Sequence, residues 1–179
     1  MTAMKFIQTH HDRWHTVEGD DGPMVTITPA SHQLLTWLQW HSVRHHWPAG
    51  MPVGVIVDNT QDTRELEADL PRLGLVVLQF PKWVDGRAYS QAHLLRSRYR
   101  FAGEIRATGQ VLVDMLPLLQ RTGFDAVVLR ADQSREAAER ALNFFPGHYQ
   151  GDVREHRPIF ARPADELASQ EFINAGASI

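Results

Sequence analysis

The chain has 179 residues, is 43% hydrophobic, and sets 18 Lys and Arg against 21 Asp and Glu for a formal charge of −3. That size suits one compact domain with a substantial core, and the near-balanced charge excludes a global attraction for nucleic acid or an anionic membrane. The absence of cysteine excludes disulfides, thiolate-held iron–sulfur clusters and thiol redox chemistry on this chain, so no redox cofactor is expected here.

The opening MTAMKFIQTHHDRW lacks the apolar core of a secretory signal. No stretch approaches the roughly 20 apolar residues that a membrane-spanning helix needs, so a cytoplasmic protein without membrane contact is expected. KFIQ, RWHTV and MVTIT read as short strands, with Gly19 to Gly22 as a turn, which predicts a β meander over residues 1–29. TPASHQLLTWLQWHSV predicts a helix capped by Thr28 or Ser31, with Leu34, Leu35, Trp37, Leu38 and Trp40 on one broad face. Pro48, Gly50 and Pro52 then break the chain.

From residue 53 to about 150 the rhythm alternates apolar runs with helical patterns. VGVIVDN, LGLVVLQF, GEIRATG and FDAVVLR predict four strands, the second apolar enough for burial on both faces. TRELEADLPRL, SQAHLLRSRYR, QVLVDMLPLLQRTG and SREAAERALNFF predict the helices that follow them, with Gly123 stopping the third and Ser134 capping the fourth. Four strand–helix units imply an α/β fold with a parallel sheet and right-handed crossovers. Two architectures satisfy the pattern: an open doubly wound sheet, or an incomplete TIM-barrel-like sheet, since a full barrel takes about 250 residues. Residues 1–162 are read as one domain, and residues 163–179, with the helical stretch DELASQEF, as a loosely held tail.

In parallel sheets ligands gather at the carboxyl ends of the strands. That rule selects Asp58 and Asn59, then Lys82, Asp85 and Arg87, then Arg106 and Thr108, then Arg130 and Asp132. Between Lys82 and Arg106 the cations Lys82, Arg87, Arg96, Arg98, Arg100 and Arg106 face only Asp85 and Glu104, a basic segment suited to a small oxyanion. Lys82, Arg87, Arg106 and Thr108 are the anion-binding candidates, with Thr108 and Gly109 read as a helix start. Asp85 and Asp114 are the acid–base candidates; Asp114 reads as buried among apolar neighbours, where it would either hold Arg106 or move a proton. The bland reading of Arg96, Arg98 and Arg100 is a solvated helix face, and that of Arg87 a loop pin.

The ten histidines include His41 and His45 at helical spacing, but HExxH is missing, and no metal site is assigned. The tryptophans read as core or subunit contacts, with Trp83 placed to cover a ligand. GxGxxG, the P-loop and GxSxG do not occur, which leaves nucleotide loops and a serine-hydrolase elbow without support.

The segment FPKWVDGRAYSQAHLLRSRYRFAGEIRATGQVLVDMLPLLQRTGFDAVVLR closely resembles the bacterial family called domain of unknown function 934. The family pattern is F-x-DGRG-[FY]-S, a Leu-Arg pair, G-E-[LI]-R-A-x-G-x-V-L-x-DQL and a G-F-D-A segment. The resemblance implies association with sulfite reduction, through a label of oxidoreductase that rests on gene neighbourhood. It makes an accessory role beside a sulfite or nitrite reductase hemoprotein the leading expectation. The alternatives are a small-molecule enzyme acting on a phosphate- or sulfate-bearing substrate, and a structural docking subunit; a homo-oligomer is compatible with each. Asp85, Gly86, Arg87, Ser90, Glu104, Arg106, Gly109, Asp114 and Asp125 fall on motif positions. Trp83, Ala88 and Met115 depart from the pattern, standing where Phe, Gly and Gln are usual.

Overall fold

The computed structural model describes residues 4–17, 27–144, 148–153 and 155–163. Among the described residues seven strands run in chain order: β1 (Lys5–Phe6), β2 (His15–Thr16), β3 (Gln33–Thr36), β4 (Val53–Val57), β5 (Leu73–Phe80), β6 (Glu104–Gly109) and β7 (Ala126–Val127). Four α-helices accompany them among the described residues: α1 (Trp37–Val43), α2 (Arg87–Ser97), α3 (Leu116–Thr122) and α4 (Arg135–Leu142).

All strand pairs are parallel, and the sheet order is β1-β7-β6-β5-β4-β3-β2. From β2 to β7 each strand lies beside its predecessor, so every crossover steps in the same direction. Right-handed crossovers that never reverse put their connections on one side of the sheet. The result is a curled, open half-barrel, the second of the two expected architectures, with no strand-order reversal of the doubly wound kind.

The strand alternation builds two apolar layers. Leu35, Val55, Val57, Val76, Leu78, Phe80, Ile105, Ala107 and Val127 pack with Ala88, Ala92 and Leu95 of α2, Leu116 and Leu119 of α3, and Ala138 of α4. On the concave face Leu34, Leu75 and Val77 pack with Trp14 and the half-buried Ile56. Gly54 and Gly74 make room for that indole: a Cβ on Gly54 would sit 3.3 Å from Trp14, and one on Gly74 3.1 Å. Trp14 thus covers part of the concave face of β3, β4 and β5.

The N-terminal segments depart from the expected meander. β1 and β2 do not pair with each other; β1 joins the outer edge of β7 and β2 that of β3, both parallel. MVTIT lies partly outside the described residues and its described end is not a strand, while Gly19 to Gly22 and DELASQEF lie wholly outside them. QLLT is strand β3 rather than helix, and α1 begins after it. Its cap is Thr36, not Thr28 or Ser31: Thr36 Oγ1 accepts from the Gln39 N–H at 3.3 Å and Gln39 Oε1 accepts from the Thr36 N–H at 2.9 Å.

The crossover from β4 to β5 is also different. TRELEADLPRL forms two 3-10 turns, Thr63–Leu66 and Leu70–Arg72, instead of an α-helix. Pro71 lacks the N–H that a helix interior would use. The limits of α3 and α4 are set by equally local chemistry. α3 starts only at Leu116, with Pro117 in its first turn, after a 3-10 turn at Val113–Met115. Gly123 ends it in the left-handed region at φ 109°, and Ser134 caps α4 by accepting from the Ala137 N–H at 3.4 Å.

Candidate functional site

The carboxyl ends of β4, β5, β6 and β7 form the rim where sequence reasoning places the chemistry. The β5–α2 loop carries Lys82, Asp85 and Arg87. Asp85 grips Arg87 from two residues away: Nη2 to Oδ2 is 2.6 Å, Nε to Oδ1 is 3.0 Å, and the Arg87 N–H also donates to Oδ1 at 3.2 Å. This charge-assisted fork closes the turn into α2. The Arg87 hydrogen bond holds the Asp85 carboxyl down at about 2, with a smaller contribution from the Asn59 amide, and Asp85 in turn raises Arg87.

Ahead of that clamp, Trp83 is 54% exposed and Val84 65% exposed. Lys82 accepts the Asp85 N–H through its carbonyl at 3.1 Å, which rounds the loop. Its ammonium group enters no ion pair among the described residues. A second fork stands at the end of β7, where Arg130 Nε and Nη2 reach Asp132 at 2.5 and 2.6 Å and Nη1 reaches Gln110 Oε1 at 3.2 Å. That pairing again depresses its carboxylate, Asp132, to about 2.

Arg106 is not on this rim. It is the third of six residues in β6 and only 3% exposed. The pleat points it with Glu104 toward the concave face. Its Nη2 lies 2.8 Å from Glu104 Oε1, and its Nη1 pairs with Asp12 in the connection between β1 and β2. Glu104 Oε2 also takes Lys5 Nζ of β1 at 3.1 Å. The chain Lys5–Glu104–Arg106–Asp12 therefore ties the sheet edge to its middle. Arg87 and Arg106 do not meet; each is occupied by its own carboxylate.

The remaining candidates separate as well. Thr108 is half-buried beside Gln79 of β5 and does not start a helix. Gly109 ends the strand at φ 93°, and a Cβ there would lie 2.5 Å from the Phe80 carbonyl oxygen, so glycine is required by both conformation and space. Asp114 is exposed in the 3-10 turn before α3 rather than buried. Its charge helps burial push the Tyr89 phenol up to about 12, burial being the larger cause. Arg96, read as a solvated residue, is a partly buried staple: it donates to the carbonyls of Gly123 at 3.0 Å and Gly103 at 2.9 Å and pairs with Asp125. Asp12 was missed because nothing local connects it with a residue 94 positions away. The alternation Glu104-x-Arg106-x-Thr108 is the signal that could have turned Arg106 inward.

The rim as built holds a loop with two exposed apolar side chains and two internally neutralised guanidinium forks. Among the described residues no group of three or more metal-type side chains gathers, and no helix is long and apolar enough to cross a membrane. No curated protein matches the chain. A family model described as bacterial protein of unknown function (DUF934) matches residues 54–160, from β4 through the rim to beyond α4, which is more than half of the chain. The chain belongs to this bacterial family, DUF934.

Proposed function

We propose that the protein is an accessory factor of sulfite reduction that docks on the sulfite reductase hemoprotein through its β5–α2 loop. The observation that carries this reading is Trp83 and Val84, 54% and 65% exposed, on a loop clamped by Asp85 and Arg87. Large apolar groups held out by a preorganised turn lose little freedom on binding, and buried aromatics dominate interface energies. Lys82 adds a positive charge that favours an acidic partner surface.

The sulfite-reduction setting rests on the family resemblance, and any iron–sulfur centre would belong to the reductase, since this chain has no cysteine to hold one. Free-oxyanion binding has less support because Arg87 and Arg106 are already paired. Proton transfer by Asp85 has less as well, because a carboxyl held at about 2 stays ionised at neutral pH and is a weak base.

Binding of the purified chain to immobilised sulfite reductase hemoprotein tests the proposal. The Trp83→Ala, Val84→Ser double variant should weaken binding about 30-fold with an unchanged melting temperature. Unchanged binding refutes the loop, and a wild-type chain that does not bind the hemoprotein refutes the partner.

A further inference from the structure

The opposite end of the sheet, where β5 and β6 begin, holds a cavity of about 460 Å³. It lies beside the crossover that forms 3-10 turns where the other units have helices. Leu70, Leu73 and Phe101 line it and are each no more than 6% exposed, giving an apolar floor. Tyr99, Arg98 and Arg100 line it from the α2–β6 connection and Glu67 from the 3-10 crossover, so two guanidinium groups stand against one carboxylate. A space of this size suits a small organic ligand.

Two features give the cavity a chemical preference. Arg98 and Arg100 are exposed, and their guanidinium groups form no ion pair or hydrogen bond among the described residues; Arg98 lies 5.7 Å from the Tyr99 ring centroid. They contrast with Arg87, Arg96 and Arg106, whose charges are matched by carboxylates. Arg100 is also in the left-handed region at φ 51°, where a glycine would fit without strain. That conformation closes the end of α2, where the Phe101 N–H donates to the Leu95 carbonyl at 2.9 Å; glycine would serve the same turn, so arginine there adds a charge beside the cavity.

We propose that this cavity binds a small organic anion: a phosphate, sulfate or carboxylate head held by Arg98 and Arg100, with an apolar ring body over Leu70, Leu73 and Phe101. Guanidinium groups bind such heads through paired donors, and the floor rewards burial of the ring. The site lies at the other end of the sheet from the docking loop, so either reading can fail alone.

Calorimetric titration with 2-naphthyl phosphate tests it, with inorganic phosphate and 2-naphthol as the two halves of that probe. The whole probe should bind saturably and each half roughly tenfold or more weakly. Arg100→Gly should weaken binding about tenfold while its melting temperature holds or rises, because glycine suits the backbone. Ala102→Trp keeps both charges but fills a cavity-lining position, and should also weaken binding. Absence of saturable binding overturns the proposal, as does inorganic phosphate binding as tightly as the whole probe, or unchanged affinity in either variant. Naphthalene-2-sulfonate and 2-naphthoate then identify which head group the arginines prefer.

Discussion

Replacing Arg106 with Met should destabilise the protein strongly. The side chain is 4% exposed, and its carboxylate partners Asp12 and Glu104 are each 11% exposed. Removing the guanidinium leaves Asp12 without its cation and Glu104 with only Lys5, whose side chain is 54% exposed. Breaking such a buried pair from one side costs about 3–5 kcal/mol. For a chain of this length that corresponds to a fall of about 6–20 °C in melting temperature. Urea denaturation followed by circular dichroism measures the loss directly. The triple variant Asp12→Asn, Glu104→Gln, Arg106→Met, which removes the stranded charges, should recover most of it, because the cost lies in uncompensated carboxylates. A single Arg106→Met variant within about 1 kcal/mol of wild type would refute the placement of this cluster inside the half-barrel.

Gly109→Ala should cost about 2–4 kcal/mol in the same assay, from a left-handed backbone and a Cβ 2.5 Å from the Phe80 oxygen; a loss under about 1 kcal/mol contradicts that strand end. Arg96→Lys should cost about 2 kcal/mol, because one ammonium cannot reproduce the planar fork on Gly123, Gly103 and Asp125; a neutral result removes the staple. The Asp85 carboxyl should titrate near 2 by carbon NMR in the wild type and return toward 3.8 in Arg87→Ala. Because its folded value is depressed, the clamp's contribution is present above the ordinary carboxyl range and fades as pH falls through about 2. A wild-type midpoint at the ordinary value contradicts the clamp.

The central strands were legible because VGVIV and LGLVVLQF are apolar on both faces, and GEIRATG because it resumes an extended pattern after the helical SQAHLLRSRYR. QLLT was not, because the apolar spacing of Leu34, Leu35, Trp37, Leu38 and Trp40 also fits a helical period, and strand and helix meet at Thr36. The two-residue strands β1 and β2 could be found as extended, but only pairing with β7 and β3 sets their direction. At the site, the Asp85–Arg87 pin was readable from two-residue spacing. Arg106 was misplaced although the strand GEIRATG was read to its end at Gly109, because its mid-strand position and the alternation with Glu104 turn it to the interior rather than to the rim. Its partner Asp12, and the cavity between two strand entrances, are products of tertiary packing that no local pattern carries.

Hydrogen–deuterium exchange of the chain, free and bound to the sulfite reductase hemoprotein, tests the docking account most directly. Protection is expected from Lys82 through Ser90, covering the loop with Trp83 and the first turn of α2. A complex that protects another surface and leaves this loop exchanging as it does in the free chain would contradict it.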